Sequence, residues 1–245
     1  MGIKFGYSSF KKVPDGLIDW SKIYDISYMF ANSQIQTLEG IDFSNINEMS
    51  DAFNYTPLQN LDGFNPGERL MYMNRAFMRT QIKIVPDLDL HNVLLLGNLF
   101  EDCQLEEVGD LHLESVGSID GIFWGYGGMQ SLRKIGAFYV PNIVSAIGDL
   151  FYYDFVDFTL PDLTEMGGLI GLKGSWISTR GLNIMPNLTY QSCINILNGL
   201  YDFTGNGETP NTDQGQLRVH PNFLTAVGEE INIAISKGWT LLTDE

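Results

Sequence analysis

The sequence predicts an α/β repeat solenoid of about 23 residues per repeat, in which a ladder of short parallel strands alternates with helical or irregular return segments. Two observations carry this. Phenylalanines recur at 30, 53, 77, 100, 123 and 151, separated by 23, 24, 23, 23 and 28 residues. Ahead of them runs an apolar ladder with offsets of 3, 2, 3, 3 and 4: Val85, Leu88, Leu90, Val93, Leu96, Phe100, and again Val108, Leu111, Leu113, Val116, Ile119, Phe123. A fixed period of this length is the signature of stacked units that cannot bury a core alone.

The step of 2 is the strand period, so Leu88 and Leu90 face inward while Asp89 faces out. The steps of 3, 3 and 4 bring the apolar side back to the same core through a turn or helix. The array opens with Ile18, Trp20, Ile23, Ile26 and Phe30, and Leu38, Ile41, Phe43, Ile46, Met49, Phe53 follow the full pattern. Leu61, Phe64, Leu70, Met73, Phe77 carry one extra residue beside Pro66-Gly67. Ile135, Phe138, Val140, Ile143, Ile147, Phe151 form a lengthened unit, and Phe155, Phe158, Leu160, Leu163, Met166, Ile170 return to the offsets. Leu182 and Ile184 start an eighth unit that departs from the pattern after Pro186. The solenoid is expected over residues 1–201, its first residues acting as an N-terminal cap. Residues 202–216 are polar and rich in Gly and Pro, hence a loop. Gln216–Val219 reads as a strand, Ala226–Lys237 as a helix stopped by Gly238, and Trp239–Leu242 as an edge. Residues 202–245 are therefore expected to cap the open end.

The segments Leu111-His-Leu-Glu-Ser-Val-Gly-Ser-Ile-Asp-Gly-Ile-Phe123 and Ile41-Asp-Phe-Ser-Asn-Ile-Asn-Glu-Met-Ser-Asp-Ala-Phe53 resemble the leucine-rich repeat superfamily, specifically its BspA-like (Treponema-type) branch. Cys103, three residues after Phe100, falls where such repeats often carry a cysteine. The ending Lys237-Gly-Trp-Thr240 is similar to endings of such proteins encoded by bacteria and their phages. The resemblance covers roughly residues 10–201 and implies a binding scaffold rather than one activity.

Composition narrows the partners. With 14 Lys+Arg against 30 Asp+Glu the net charge is −16, which repels phosphate backbones and anionic membranes. Nucleic acid is not an expected partner, nor is membrane insertion, since no stretch of about 18 apolar residues occurs. The N-terminus lacks a signal-peptide core. Cys103 and Cys193 form no metal-like pair and are expected as reduced, buried thiols.

The search for chemistry finds no phosphate loop and no nucleophile elbow, and only three histidines, His91, His112 and His220, none in a His-x-x-x-His pair. Gly125-Tyr-Gly-Gly128 lacks dinucleotide spacing. Asp202, Thr204, Asn206, Gly207 and Asp213 follow a calcium-loop spacing, but without the closing Glu they read as a polar loop. No enzyme, metal or cofactor is expected. Two surfaces are candidates for ligands. One is the outward strand row Asp19, Asp42, Asn65, Asp89, His112, Tyr139, Thr159, Asn183, displayed as a single ladder. The other is an aromatic edge of Trp124, Tyr126, Tyr152 and Tyr153, suited to sugar stacking or a protein interface.

The expected function is a non-enzymatic protein or glycan interaction module. Its first setting is a phage virion, as a homo-oligomeric structural or receptor-binding component of a tail or fibre, made in the bacterial cytoplasm. Its partners there would be other virion proteins or a host cell-surface glycan or protein. The alternative is a bacterial surface adhesin. A distant third is a carbohydrate-active enzyme using Asp42 and Asp89, two repeats or roughly 9–10 Å apart.

Overall fold

The computed structural model describes residues 4–125, 129–145, 147–148, 150–151, 159–177 and 182–243. Successive chain segments, or rungs, pair in parallel, and the first side carries a parallel sheet of six strands: β1 (Ile84–Val85), β2 (Leu88–Asp89), β3 (Glu107–Val108), β4 (Leu111–His112), β5 (Lys134–Tyr139) and β6 (Glu165–Ile170). Helices are few, so the arrangement is α/β with the sheet dominant. Register is strict. Val85, Val108, Ile135 and Met166 align across β1, β3, β5 and β6, and Leu88, Leu111, Phe138 and Leu169 across β2, β4, β5 and β6. All eight side chains are buried. The second side is held by isolated parallel bridges, Asp25 to Glu48 to Tyr72 to Leu95, and later Ile147 to Trp176 to Leu217.

The corner that closes each rung is built on the phenylalanines. Phe5, Phe30, Phe53, Phe77, Phe100, Phe123 and Phe151 stack in one column with ring centroids 5.4–6.4 Å apart. Backbone amides here alternate in role. Tyr28, Phe30 and Asn32 donate to Ser50, Ala52 and Asn54 of the next rung, while Met29, Ala31 and Ser33 close turns onto Ile26, Tyr28 and Phe30. Such a run of turns places a left-handed residue two before and two after Phe30, Phe53, Phe77 and Phe100. Those positions are Tyr28 and Asn32, Asp51 and Tyr55, Arg75 and Arg79, Asn98 and Asp102, all at φ between 52° and 59°. Each costs about 1 kcal/mol or more for a non-glycine residue, offset by the interstrand bonds that the turn makes possible. Three residues past the ring, Thr56 and Thr80 donate their hydroxyls to the carbonyls of Phe53 and Phe77, and Cys103 donates its thiol to Phe77. Buried polar atoms are thereby satisfied inside an apolar stack.

Several expectations are corrected. Among the described residues, strands begin only at Ile84, so Asp19, Asp42 and Asn65 do not lie in strands; Asp19 instead precedes a 3-10 turn at Trp20–Lys22. The outward row does not run on to Thr159 and Asn183. Tyr139 pairs with Ile170, and Met166 aligns with Ile135, so the strand of that rung starts about eleven residues later than the apolar offsets suggest. Leu160 and Leu163 are buried as expected, but on the return segment of a lengthened rung. Phe155 and Phe158 lie outside the described residues.

Beyond β6 the next rung is a helix, α1 (Tyr190–Gly199), capped by Thr189. It covers the open edge of β6: Ser192 Oγ accepts from the Met166 amide, and the Gly199 carbonyl from that of Gly171. An uncovered parallel edge would template further pairing, so this cover matters. Gly168, at φ 108°, is the point of closest approach, where a Cβ would sit 2.8 Å from the Asn195 carbonyl oxygen. The tail then adds two rungs to the second side: β7 (Gln216–Arg218) pairs in parallel with β8 (Thr240–Leu242), and Leu217 bridges Trp176. The helix expected over 226–237 is earlier and broken. α2 (Pro221–Val227) ends at Gly228, whose φ of 55° with ψ of −123° excludes most other residues, and α3 (Asn232–Ser236) resumes after a 3-10 turn. Lys237 ties this tail to α1 by donating to the carbonyls of Leu197, Asn198 and Leu200. Burial lowers the pKa of its ammonium.

Candidate functional site

Where the strand turns out of the sheet, Leu88 and Leu90 point in and Asp89 points out. The Asp89 carboxylate then accepts the amide of His91 at 3.2 Å, and the Val93 amide returns to the Leu90 carbonyl, which turns the chain. Asp42 makes the same local turn onto Ser44 at 2.9 Å, and hydrogen bonds from the Ser44 side chain and then its amide hold its carboxyl below the usual range. Asp42 is solvent-exposed, one of a matching pair of turns rather than part of the sheet.

Parallel register lines up Asp89, His112, Tyr139 and Ile170 on the outer face of β2, β4, β5 and β6. Neighbouring strands are about 4.8 Å apart, so aromatic rings in one column must stack. The His112 and Tyr139 rings do so with centroids 4.2 Å apart and an interplanar angle of 4°. His112 Nδ1 lies 2.9 Å from Glu114 Oε1, which fixes the imidazole edge-on to the sheet.

Beside this row sits a cavity of about 340 Å³, lined by Asn65, Glu68, Asp87, Asp89, His91 and Asn92 among others. His91 Nδ1 is 2.6 Å from Asp89 Oδ1, and Nε2 is 2.8 Å from Asn92 Nδ2 and 3.3 Å from Glu68 Oε2. With the neutral ring donating to Asp89, Nε2 accepts from Asn92; protonation turns Nε2 into a donor toward Glu68. The Asp89 bond, followed by the charges of Asp89, Glu68 and Glu114, raises the His91 pKa. The His91 bond in turn lowers that of Asp89. The site thus presents carboxylates, two amides and a half-exposed ring pair. Such groups accept hydroxyl protons and offer apolar ring edges, the requirements for holding a polyhydroxylated ligand.

Of the residues singled out from sequence, the structure brings Asp89, His112 and Tyr139 together. Trp124 is half-buried in the phenylalanine corner, where its carbonyl accepts the Asp102 amide, and is not part of the row. Tyr126, Tyr152 and Tyr153 lie outside the described residues. Sequence reading missed Asn92, Glu68 and Glu114, and named His91 without placing it in a site. The Asp89-x-His91 spacing was a usable signal, since it is that of an Asp turn. Glu68 follows the extra residue at Pro66-Gly67, which lets it reach over the next rung.

Both cysteines are free, and burial pushes each thiol up to about 11, so neither supplies a nucleophile near neutral pH. Among the described residues no group of three or more His, Cys, Asp or Glu side chains could hold a metal ion, and no helix is long and apolar enough to cross a membrane. Comparison with protein-family models, with curated proteins and with solved structures returns no match for the chain.

Proposed function

We propose that the chain is a non-enzymatic recognition module that binds a cell-surface glycan through the Asp89–His112–Tyr139 row. The observation that carries this is the stacked His112–Tyr139 pair, register-locked beside a carboxylate- and amide-lined cavity. A pair of ring edges flanked by acceptors suits a sugar with an apolar patch and a hydroxyl rim. The scaffold is proposed to be a solenoid of the BspA-like leucine-rich-repeat type over residues 1–201, closed by residues 202–245. Support comes from the 23–24-residue recurrence of the phenylalanine corner and from α1 and the tail covering the far end. The setting we propose is a phage virion, where the module is a structural or receptor-binding component assembled from several copies. The charge of −16 favours a non-nucleic-acid partner.

The test is binding of the labelled protein to candidate bacterial cells, with and without stripping of their surface polysaccharide. Saturable binding that disappears on stripping is expected. Equal binding to stripped cells would replace the glycan by a surface protein, and no binding to any cells would leave only a structural role.

A further inference from the structure

An adjoining surface lies around the corner from this row, sharing Glu68 and Asn92 with its cavity. On the second side, successive rungs send two consecutive residues outward, Tyr24-Asp25, Asn47-Glu48, Met71-Tyr72 and Leu94-Leu95, and the series ends at the small, polar Gly117-Ser118. The Asn47 carbonyl accepts the amides of both Met71 and Tyr72, and the Met71 carbonyl those of both Leu94 and Leu95, so the backbone fixes these columns side by side. Leu95 is 53% exposed, Tyr24 51%, and Leu94 38%. A single exposed leucine is unremarkable, but adjacent leucines on a register-locked face, continued by Met71 and Tyr72, form a contiguous apolar patch. A groove of about 540 Å³ opens beside it, lined by Tyr24, Met71 and Leu94 together with Glu68, Arg69 and Asn92.

The rim is acidic. Asp25 and Glu48 continue the Tyr72–Leu95 column, and Glu68 stands exposed at the side, with Arg69 the cation in the lining. We infer that this patch docks a basic amphipathic helix of a partner protein, apolar along one stripe and flanked by lysine or arginine. Charge complementarity selects that occupant, because a second copy of a chain of net charge −16 would bring the same sign to the rim. Size agrees. The three rung intervals from Tyr24 to Leu94 span about 14 Å, the length of about ten helical residues.

The test measures fluorescence anisotropy of a synthetic helical peptide of leucine and lysine, with a leucine–glutamate peptide as control, at about 0.15 M salt. The variant is Leu94→Gln/Leu95→Gln, which removes the apolar surface and leaves the net charge unchanged. The inference expects saturable binding of the lysine peptide, none of the glutamate peptide, and at least tenfold weaker binding by the variant at an unchanged thermal midpoint. Should the double variant lose its fold, Leu95→Gln alone replaces it, since Leu95 is the more exposed. Equal binding by variant and parent would reduce the effect to bulk charge and overturn the inference. A parent that sediments as a dimer, with the variant monomeric, would overturn it in favour of a second copy.

Discussion

The rungs up to Phe123 and those beyond it solve the same stacking problem by different means. In the first group the spacing is 23 or 24 residues, strands are at most two residues long, and order comes from the corner: stacked rings, left-handed turns and an amide ladder running from rung to rung. In the second group the rungs lengthen, and β5 and β6 run six residues each, with a helix sealing the edge. A constant repeat length keeps every corner superimposable, so little sheet is needed. Once the length varies, continuous strand pairing and a covering helix take over. The candidate site lies where the two regimes meet, with Asp89 and His112 from short strands and Tyr139 from a long one.

Removing a ring tests the first regime most severely. Phe100 stacks at 5.8 Å on Phe77 and 6.4 Å on Phe123 and is fully buried, so Phe100→Ala is expected to lose roughly 3–5 kcal/mol in urea unfolding. In the second regime the sensitive point is backbone contact. Gly168→Ala meets both an unfavourable φ and the Asn195 carbonyl, with an expected loss of about 3 kcal/mol. Its amide-exchange signature should be confined to α1 and β6, whereas a change spread over the first rungs would mean that the two regimes are not separable.

A smaller effect probes what holds the corners in register. Asp51 is nearly inaccessible and receives two bonds from Arg75, at 3.0 and 2.9 Å, and one from Asn54 at 2.8 Å. Asp51→Ala should cost about 2 kcal/mol, part of it from lost bonds and part from the left-handed backbone at this position. Asp51→Asn, which tolerates that backbone, should cost less, and thermal melts of the two variants separate the contributions.

The smallest effect is electrostatic. His91 is raised by Asp89, so its contribution is full below about pH 6.5 and is lost as pH climbs through the raised value. Asp89 is lowered by His91, so its contribution is full above about pH 3.9 and is lost as pH falls through the lowered value. The pair is therefore strongest between about pH 4 and 6.5. An NMR titration should place the His91 midpoint above the ordinary histidine value, and Asp89→Asn should bring it down.

The inward positions were legible because burial leaves a period in the sequence: all six members of the Val85–Phe100 and Val108–Phe123 series are buried. The left-handed corners were not, because Tyr28, Asp51, Arg75 and Asn98 occupy them in place of the glycine that would have announced a positive φ. The rung after Phe151 was misregistered because an apolar residue at a fixed offset does not reveal whether it faces inward from a strand or from a return segment; Leu160 and Met166 are both buried, one in each. The row of Asp89, His112 and Tyr139 could be read from the strand period alone. The cavity beside it could not, since Glu68 reaches it from the preceding rung and leaves no local pattern.

The most direct test of the recognition site is binding of Tyr139→Ala to polysaccharide-bearing cells that the parent protein binds. Tyr139 is half-buried on the outer face and stacks on His112, so its loss should lower the thermal midpoint modestly and leave the fold intact. At least a tenfold loss of binding is predicted, since the substitution removes half of the stacked pair. Undiminished binding by a folded Tyr139→Ala protein would contradict the assignment of the ligand to this row.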